Sequence, residues 1–427
     1  MTAASTSRRF IGVAVVNGLQ TAINLATGIL SARVLDAAGR GEYASVAVYA
    51  TVIGTLLPAG VPQALVTWRG RLSSVKGGLW GYVIMVVPLG GGILLFLHLL
   101  GIVRTSGIAP LAGGSMMVIG GTYAAVSTGL YQRAQDFGLG FRTIRLAPAL
   151  FLVAYMTVFA ITGVHNASLW LLLSGLCMVV PSTCILVIVL RRALSQSDAP
   201  SPLFVGRSFI PIAARASLIV LTAQVFFRID SMVAASRLGF RELGYYAVAF
   251  GAQAALVSVA TVGALLVHAD LATCETGLER MRQVMLAERR TLALVLGLSV
   301  PAVVAGPLII PLVYGAGFSD AVTVTQVLCL GAVPIALDYV YLHGIMVLGL
   351  ERRLIGIQLA LGAVGFAIYT AVPASGTGLP LATSAVGIFS VSCLIKRSIL
   401  LRTISGQIAR DGRARTRGMD PSSRTAS

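Results

Sequence analysis

Apolar stretches of membrane-spanning length follow one another along almost the whole chain. Each is long enough for an α-helix to cross the hydrocarbon core of a bilayer, which takes about 20 residues. The first stretch follows Arg8 and Arg9 directly, lacks a signal-peptide cleavage pattern and is therefore predicted to be a spanning helix. The pattern predicts twelve transmembrane helices, at 10–34, 44–67, 78–101, 108–131, 144–164, 168–190, 208–235, 244–267, 291–314, 322–347, 353–374 and 378–400.

A four-residue phrase, Gly-x-Tyr-Ala, occurs at 41–44 and again at 244–247. The two copies lie 203 residues apart, each between two apolar stretches, and Ala32 matches Ala235 at the same offset. With six predicted helices in each half, both halves begin on the same side of the membrane. The pattern predicts an all-α integral membrane protein whose two six-helix lobes are related by a parallel pseudo-twofold repeat around a central cavity.

Polar segments set the predicted boundaries of the two lobes. The N-terminal lobe covers 1–190 and the C-terminal lobe covers 208–400. A basic, proline-containing cytoplasmic loop at 191–207 links them. The tail at 401–427 is rich in Arg, Ser and Gly, a composition typical of disorder, and is predicted to be cytoplasmic.

The charge distribution explains a net charge of +17 without any nucleic acid. Of the 32 Lys and Arg residues, 25 fall in the segments predicted to be cytoplasmic and 5 in those predicted to be external. This positive-inside bias predicts a multi-pass protein of the cell membrane with both termini in the cytoplasm. Hydrophobic residues make up 56% of the chain and charged residues only 11%, which agrees with an integral membrane protein.

No catalytic constellation, phosphate loop or metal-ligand spacing is present in the sequence. The five cysteines are scattered, mostly within apolar segments, so no metal and no cofactor are expected. The predicted external loops are short and hold few acidic residues. Both features disfavour an enzyme.

The seventh predicted helix is unusually polar for a membrane span. It contains Arg215, Gln224, Arg228 and Asp230, although a charge at the centre of a bilayer costs about 2.5–3.5 kcal/mol on the insertion scale. Gln224 and Arg228 are four residues apart and share a helix face. The pattern predicts that this helix lines a water-filled cavity; snorkelling of the two arginines toward the membrane surfaces is the alternative.

The first predicted helix occupies the equivalent position in the other lobe and carries a matching polar stripe. Asn17, Gln20 and Asn24 fall on one helix face. Hydrogen bonding between helices and lining of a cavity are both open readings of this stripe. In the tenth helix, Asp338 follows Pro334 and suits either ion binding or a structural hydrogen bond.

Four segments, which lie at 29–44, 228–247, 314–318 and 348–352, together resemble parts of the Wzx-type polysaccharide flippases. Residues 29–44 resemble the end of the first helix and its loop in that family, and 228–247 resemble its seventh-to-eighth helix region. Residues 314–318 and 348–352 are similar to its loops on either side of the tenth helix. These flippases belong to the multidrug/oligosaccharidyl-lipid/polysaccharide exporter superfamily, which also contains multidrug extruders and lipid II flippases.

The resemblance implies a transporter that flips a polyprenyl-pyrophosphate-linked oligosaccharide to the outer leaflet by alternating access, for cell-surface polysaccharide biosynthesis. The pyrophosphate would bind arginines and the sugar hydroxyls would bind amides. The residues implied are Arg215, Arg228 and Arg33 for the pyrophosphate, and Asn17, Gln20, Asn24 and Gln224 for the sugar. The partners implied are the lipid-linked substrate, membrane lipids and other polysaccharide-assembly proteins.

The driving force and the alternatives to a flippase stay open at this point. Moving two negative charges outward down a potential of 100 mV releases about 4–5 kcal/mol. Coupling to Na⁺ or H⁺ through Asp230 or Asp338 is the other source of drive. The alternatives are a multidrug or metabolite antiporter of the same fold and, less favoured, a membrane glycosyltransferase or polymerase.

Overall fold

All the regular secondary structure that the computed structural model describes is helical. The described residues are 3–67, 76–105, 107–134, 139–195, 209–373 and 378–416. The helices are α1 (Ala3–Leu56), α2 (Val61–Thr67), α3 (Lys76–Leu99), α4 (Ile108–Arg133), α5 (Leu139–Thr162), α6 (Ala167–Ser195), α7 (Phe209–Arg237), α8 (Phe240–Thr273), α9 (Gly277–Tyr314), α10 (Ala321–Val347), α11 (Glu351–Ala371) and α12 (Leu379–Thr416), with a short 3₁₀ turn at Ala316–Phe318.

Helix α1 consists of two arms that meet at Asp36. Asp36 has a φ of 59°, which is rare outside glycine, and its carboxylate accepts a hydrogen bond from the Gly39 N–H at 2.9 Å. The bend lets Gly28 on the first arm lie beside the guanidinium group of Arg40 on the second. At the repeat offset, Asp36 corresponds to Gly239, which separates α7 from α8. Both lobes therefore turn at the same place.

Each of the twelve predicted spans overlaps a helical segment: the first arm of α1, its second arm continued by α2, and the ten helices α3–α12. Within the described part of the chain, nine helical stretches are long and apolar enough to cross a membrane, the first of which, Gly18–Val66, holds both arms of α1. The prediction of an all-α, two-lobe membrane protein is confirmed. In the first lobe α4 packs most extensively on α6, and in the second α10 packs on α8 and α12.

One end of the bundle, called the motif end, holds the bend at Asp36 and the break at Gly239, and a Gly-x-Tyr-Ala copy begins five residues after each, within the helix that follows. The connections that follow the first, third, fifth, seventh, ninth and eleventh passes all meet there. The contacts that join them are His165 to Val34, Arg104 to Leu238, Arg33 to Val313 and Arg237 to Val372. This arrangement agrees with the alternation of passes predicted from hydropathy.

At the opposite end of the bundle, the first part of the predicted disordered tail is helical, contrary to the prediction. Helix α12 continues to Thr416, and α9 begins at Gly277, well before the predicted 291. The two extensions pack together: Gly277 donates its N–H to Asp411, and the Arg280 guanidinium donates to Gln407 at 3.2 Å. A polar segment such as the α12 extension could not bury a core on its own. It is helical because the α9 extension packs against it. Residues 417–427 and most of the predicted 191–207 loop lie outside the described residues, although α6 continues through Ser195.

Candidate functional site

The two repeated motifs contact each other directly at the motif end. A Cβ added at Gly41 would overlap the carbonyl oxygen of Phe240, and a Cβ added at Gly244 would overlap that of Ala37. At the offset of 203, Gly41 corresponds to Gly244 and Ala37 to Phe240, so the contact is reciprocal. A reciprocal contact of this kind is what a twofold axis produces. The axis of the repeat therefore passes between the two glycines.

Two arginines of the first lobe reinforce this contact by binding helix ends of the second lobe. Arg104 donates to the carbonyls of Ala235, at 3.0 Å, and Leu238 at the end of α7. Arg33 donates to carbonyls at the end of α9, including that of Val313 at 2.6 Å. Cations are favoured there because the last carbonyls of a helix lack partners and carry partial negative charge. The Arg33 guanidinium is thus hydrogen-bonded to the end of α9, and Arg33 lines none of the three chambers described next.

The lobes also touch toward the opposite end. Gly60 has a φ of 79° and packs against the backbone of Ala213 and Ser217 on α7. The Ser217 hydroxyl donates to the carbonyl of Ala59. Between this contact and the motif end lies a cavity region in three parts, which share lining residues. Helix α1 lines all three parts, together with α4 and α7 in one and with α8 in the other two.

The part nearest the motif end, called the arginine chamber, has a volume of about 210 Å³. Arg40 and Arg228 both line it, one from each lobe. The guanidinium of Arg40 lies 5.1 Å from the ring centre of Tyr43, and that of Arg228 lies 5.0 Å from the ring centre of Phe250. Within the part of the chain that the structure describes, neither arginine forms an ion pair with a carboxylate. The Nε of Arg40 is buried and has no hydrogen-bond partner there.

Arg40 was missed as a cavity residue because it lies between the predicted spans 10–34 and 44–67, in a segment that hydropathy assigns to a loop outside the membrane. The bend at Asp36 instead turns the second arm of α1 inward immediately before it. Tyr43, Ala44 and Ala47 line the same chamber at positions three, four and seven residues after Arg40. That spacing is the signal that could have found it, since residues so spaced share one helix face.

The second part, called the amide chamber, has a volume of about 320 Å³ and extends from the arginine chamber away from the motif end. The two chambers share Thr51. Gln224 lies one helical turn before Arg228 on α7. None of the described residues that line the chamber is charged or aromatic, and its polar side chains are Thr51, Thr55, Gln63 and Gln224.

The third part, called the side chamber, opens between the first arm of α1 and α8 and has a volume of about 290 Å³. It shares Arg40 with the arginine chamber, and Asn24 and Thr21 line it. Gln20 lies one turn before Asn24 and is not among the lining residues. The side chain of Asn17 lies outside the described residues. Asn24 is thus the residue of the predicted amide stripe that the structure places against the cavity.

Arg215 lies away from the three chambers, on the same helix as Arg228. Its guanidinium pairs with Glu351 at the start of α11, and its side chain is 66% exposed. The reason is the helical spacing, because thirteen residues rotate Arg215 by about 140° from the face of Arg228. The structure does not bring the two arginines together.

The two predicted ion-coupling acids have different surroundings. Asp230 is buried behind the arginine chamber; its Oδ2 accepts a hydrogen bond from Tyr246 at 2.7 Å, and its Oδ1 has no partner among the described residues. Asp338 accepts from Lys396 at 2.6 Å and from Ser392 at 2.7 Å, and both charged side chains are fully buried. Lys396 is one of the 25 basic residues counted as cytoplasmic by the positive-inside pattern, but α12 carries its side chain into the buried interior of the second lobe.

The buried ion pair between Lys396 and Asp338 leads to a prediction about stability. Replacing Lys396 with methionine should lower the free energy of unfolding by about 3–5 kcal/mol, because the carboxylate of Asp338 would stay buried without a partner. The double variant Lys396→Met, Asp338→Asn should recover most of this loss. Thermal unfolding in detergent measures both. A single variant as stable as the parent chain would show that Asp338 is neutralised by a proton or a bound cation instead.

Comparison with known proteins shows the fold but no family. No protein-family model matches the chain, and no curated protein matches its sequence. An inward-facing multidrug resistance MATE family transporter of the MOP superfamily is 14% identical with a TM-score of 0.65, over 92% of this chain and 98% of that one. The lipid II flippase MurJ, in an inward closed conformation, is 11% identical with a TM-score of 0.69, over 92% of this chain and 87% of that one.

A third solved structure belongs to a MOP superfamily transporter from Pyrococcus furiosus Vc1, whose binding pocket is described as having reverse polarity that suggests a different function. It is 11% identical with a TM-score of 0.55, over 93% of this chain and 96% of that one. All three similarities extend over nearly the full length. The chain is therefore a multi-pass membrane protein with the fold of the MOP-superfamily transporters.

Proposed function

We propose that the protein is a flippase for a polyprenyl-diphosphate-linked oligosaccharide. The observation that carries the proposal is the arginine chamber, where Arg40 and Arg228 lie between the lobes without a carboxylate partner among the described residues. Arginine forms bidentate hydrogen bonds with phosphate oxygens, and a diphosphate bridge offers one ionised oxygen on each phosphorus. A cavity that carries two cations suits this anion and repels cationic drugs.

The remaining parts of the cavity suit the rest of such a substrate. The amide chamber offers Gln224 and Gln63 to sugar hydroxyls, and the side chamber between α1 and α8 offers a route for the lipid tail. Alternating access would require the motif-end contact to open while the Ala59–Ser217 contact closes, or the reverse. Arg33 and Arg104 would then hold the motif end shut in one state rather than bind substrate.

The membrane potential is the simplest drive for moving an anion outward. Asp230 is the better candidate for coupling to Na⁺ or H⁺, because one of its oxygens has no partner among the described residues. Asp338 already has the ammonium group of Lys396 as its cation.

The test is reconstitution of the purified full-length chain into liposomes that contain a radiolabelled polyprenyl-diphosphate oligosaccharide. The expected result is protein-dependent exposure of the glycan to an impermeant glycosidase, and faster exposure when a potential favours outward movement of anions. Efflux of a cationic dye from the same vesicles serves as the comparison. Dye efflux without glycan exposure would replace the proposal with a multidrug antiporter, the alternative for which the MATE-like fold provides a reason.

A further inference from the structure

The three chambers are chemically distinct, and the distinction bears on the sugar. Both arginines that line the cavity belong to the arginine chamber, and the described lining of the amide chamber carries no charge. The amide chamber also lacks an aromatic ring among those residues, so it cannot hold a flat apolar cation by stacking. Its polar groups are two hydroxyls and two primary amides, which bind hydroxyl and acetamido groups.

Gln224 presents a side-chain amide to the amide chamber. Its side chain is half-buried and makes no hydrogen bond with the described residues, while the neighbouring Thr222 bonds to Gln358 within the second lobe. Its amide group is therefore available to hydrogen-bond a ligand that enters the chamber. A ligand that brings hydroxyl groups beside Gln224 would hydrogen-bond to this amide.

Charge balance then limits what the head group can carry. A diphosphate bridge bound at Arg40 and Arg228 brings one negative charge on each phosphorus, which matches the two guanidinium groups. A further carboxylate on the sugar would enter the amide chamber, where the described lining offers no cation. Burying a carboxylate without a counter-charge is strongly unfavourable.

We propose that the amide chamber selects lipid-linked oligosaccharides whose first sugars are uncharged and rejects those that carry a uronic acid at that position. This inference rests on the proposed function, because it takes the diphosphate to lie in the arginine chamber. Thr51, which both chambers share, marks the boundary between the diphosphate and the first sugar. The selection depends on Gln224 and Gln63, because neither side chain carries a positive charge that could pair with a carboxylate on the sugar.

The experiment compares the affinity of the full-length protein in detergent for three probes: polyprenyl diphosphate alone, and the same lipid carrying a hexose or a hexuronic acid disaccharide. The hexose probe should bind at least about tenfold more tightly than the hexuronic acid probe, a ratio that corresponds to roughly 1.4 kcal/mol. Equal affinities, or tighter binding of the hexuronic acid probe, would overturn the selection. Failure of polyprenyl diphosphate itself to bind would overturn the proposed function instead.

Variants that add one positive charge to the amide chamber test the same selection. Gln224→Lys should raise the affinity for the hexuronic acid probe, relative to that for the hexose probe, about tenfold. Gln63→Lys tests the same idea from the other lobe and stands in if the first variant does not fold. Ser405→Lys adds the same charge to an exposed position on the α12 extension and should leave the ratio unchanged. An unchanged ratio in both glutamine variants would contradict the selection.

Discussion

Replacing Arg228 with alanine is expected to weaken binding of polyprenyl diphosphate roughly 10- to 100-fold and to abolish flipping. A hydrogen-bonded contact to a charged group contributes about 1.5–3 kcal/mol, and this cation has no other described ion-pair partner to replace it. Arg40→Ala should have a similar effect, because Arg40 lines the same chamber from the other lobe. Arg228→Lys should fall between the parent and the alanine variant, because lysine keeps the charge but loses the fork of donors.

Arg215→Ala is the matched control for this prediction. It removes the same side chain from the same helix, but from a position that is 66% exposed and paired with Glu351. Binding in detergent and glycan exposure in liposomes should therefore stay near the parent values, and thermal unfolding checks that every variant is folded. If Arg215→Ala impairs binding as strongly as Arg228→Ala, the assignment of the diphosphate to the arginine chamber is wrong.

Replacing Gly244 with alanine is expected to force the lobes apart at the motif end. A Cβ there would overlap the carbonyl oxygen of Ala37, so the close approach of the two helices could not form as it stands. Overpacking of this kind costs about 1–3 kcal/mol, enough to shift a balanced equilibrium between two transporter states by about a factor of ten. Gly41→Ala should act in the same way, because it meets Phe240 in the reciprocal contact.

The measurement for this prediction is the reaction of a cysteine placed at Ala47, which lines the arginine chamber, with an impermeant maleimide. Gly244→Ala should speed the reaction when the reagent is added to the motif face, and should slow flipping. Gly387→Ala is the control, because a Cβ at that glycine of the second lobe would meet nothing within 4 Å. An unchanged labelling rate in Gly244→Ala would indicate that the motif-end contact is not a gate.

Arg228 and Arg40 illustrate how far the candidate site could be predicted. Arg228 stands inside an apolar span and shares a face with Gln224, so local periodicity alone directed it toward a cavity, and both residues line one. Arg40 lies three residues before Tyr43 in a segment too polar to count as a span. Its inward direction depends on the bend at Asp36, a single-residue conformation that hydropathy does not encode.

Lys396 shows the same limit in the second lobe. A lysine followed by an arginine near the end of an apolar stretch predicts a cytoplasmic boundary, and positive-inside counting placed it there. It is buried because α12 continues past that point and because Asp338, 58 residues earlier, supplies a counter-charge. Only the packing of α10 against α12 could reveal that partnership.

The sequence by itself determined the all-helical membrane fold, the alternation of its passes and the twofold repeat. These properties follow from hydropathy and helical period, which act over one span at a time, and from internal similarity at a constant offset. The tertiary structure alone decided which polar groups face the cavity and which are occupied elsewhere, as with Arg33, Arg40 and Lys396. The reason is that these contacts join segments on different helices, so they depend on how the lobes pack. The repeated glycines belong to both levels: their pairing in sequence predicted the repeat, and their contact in space locates its axis.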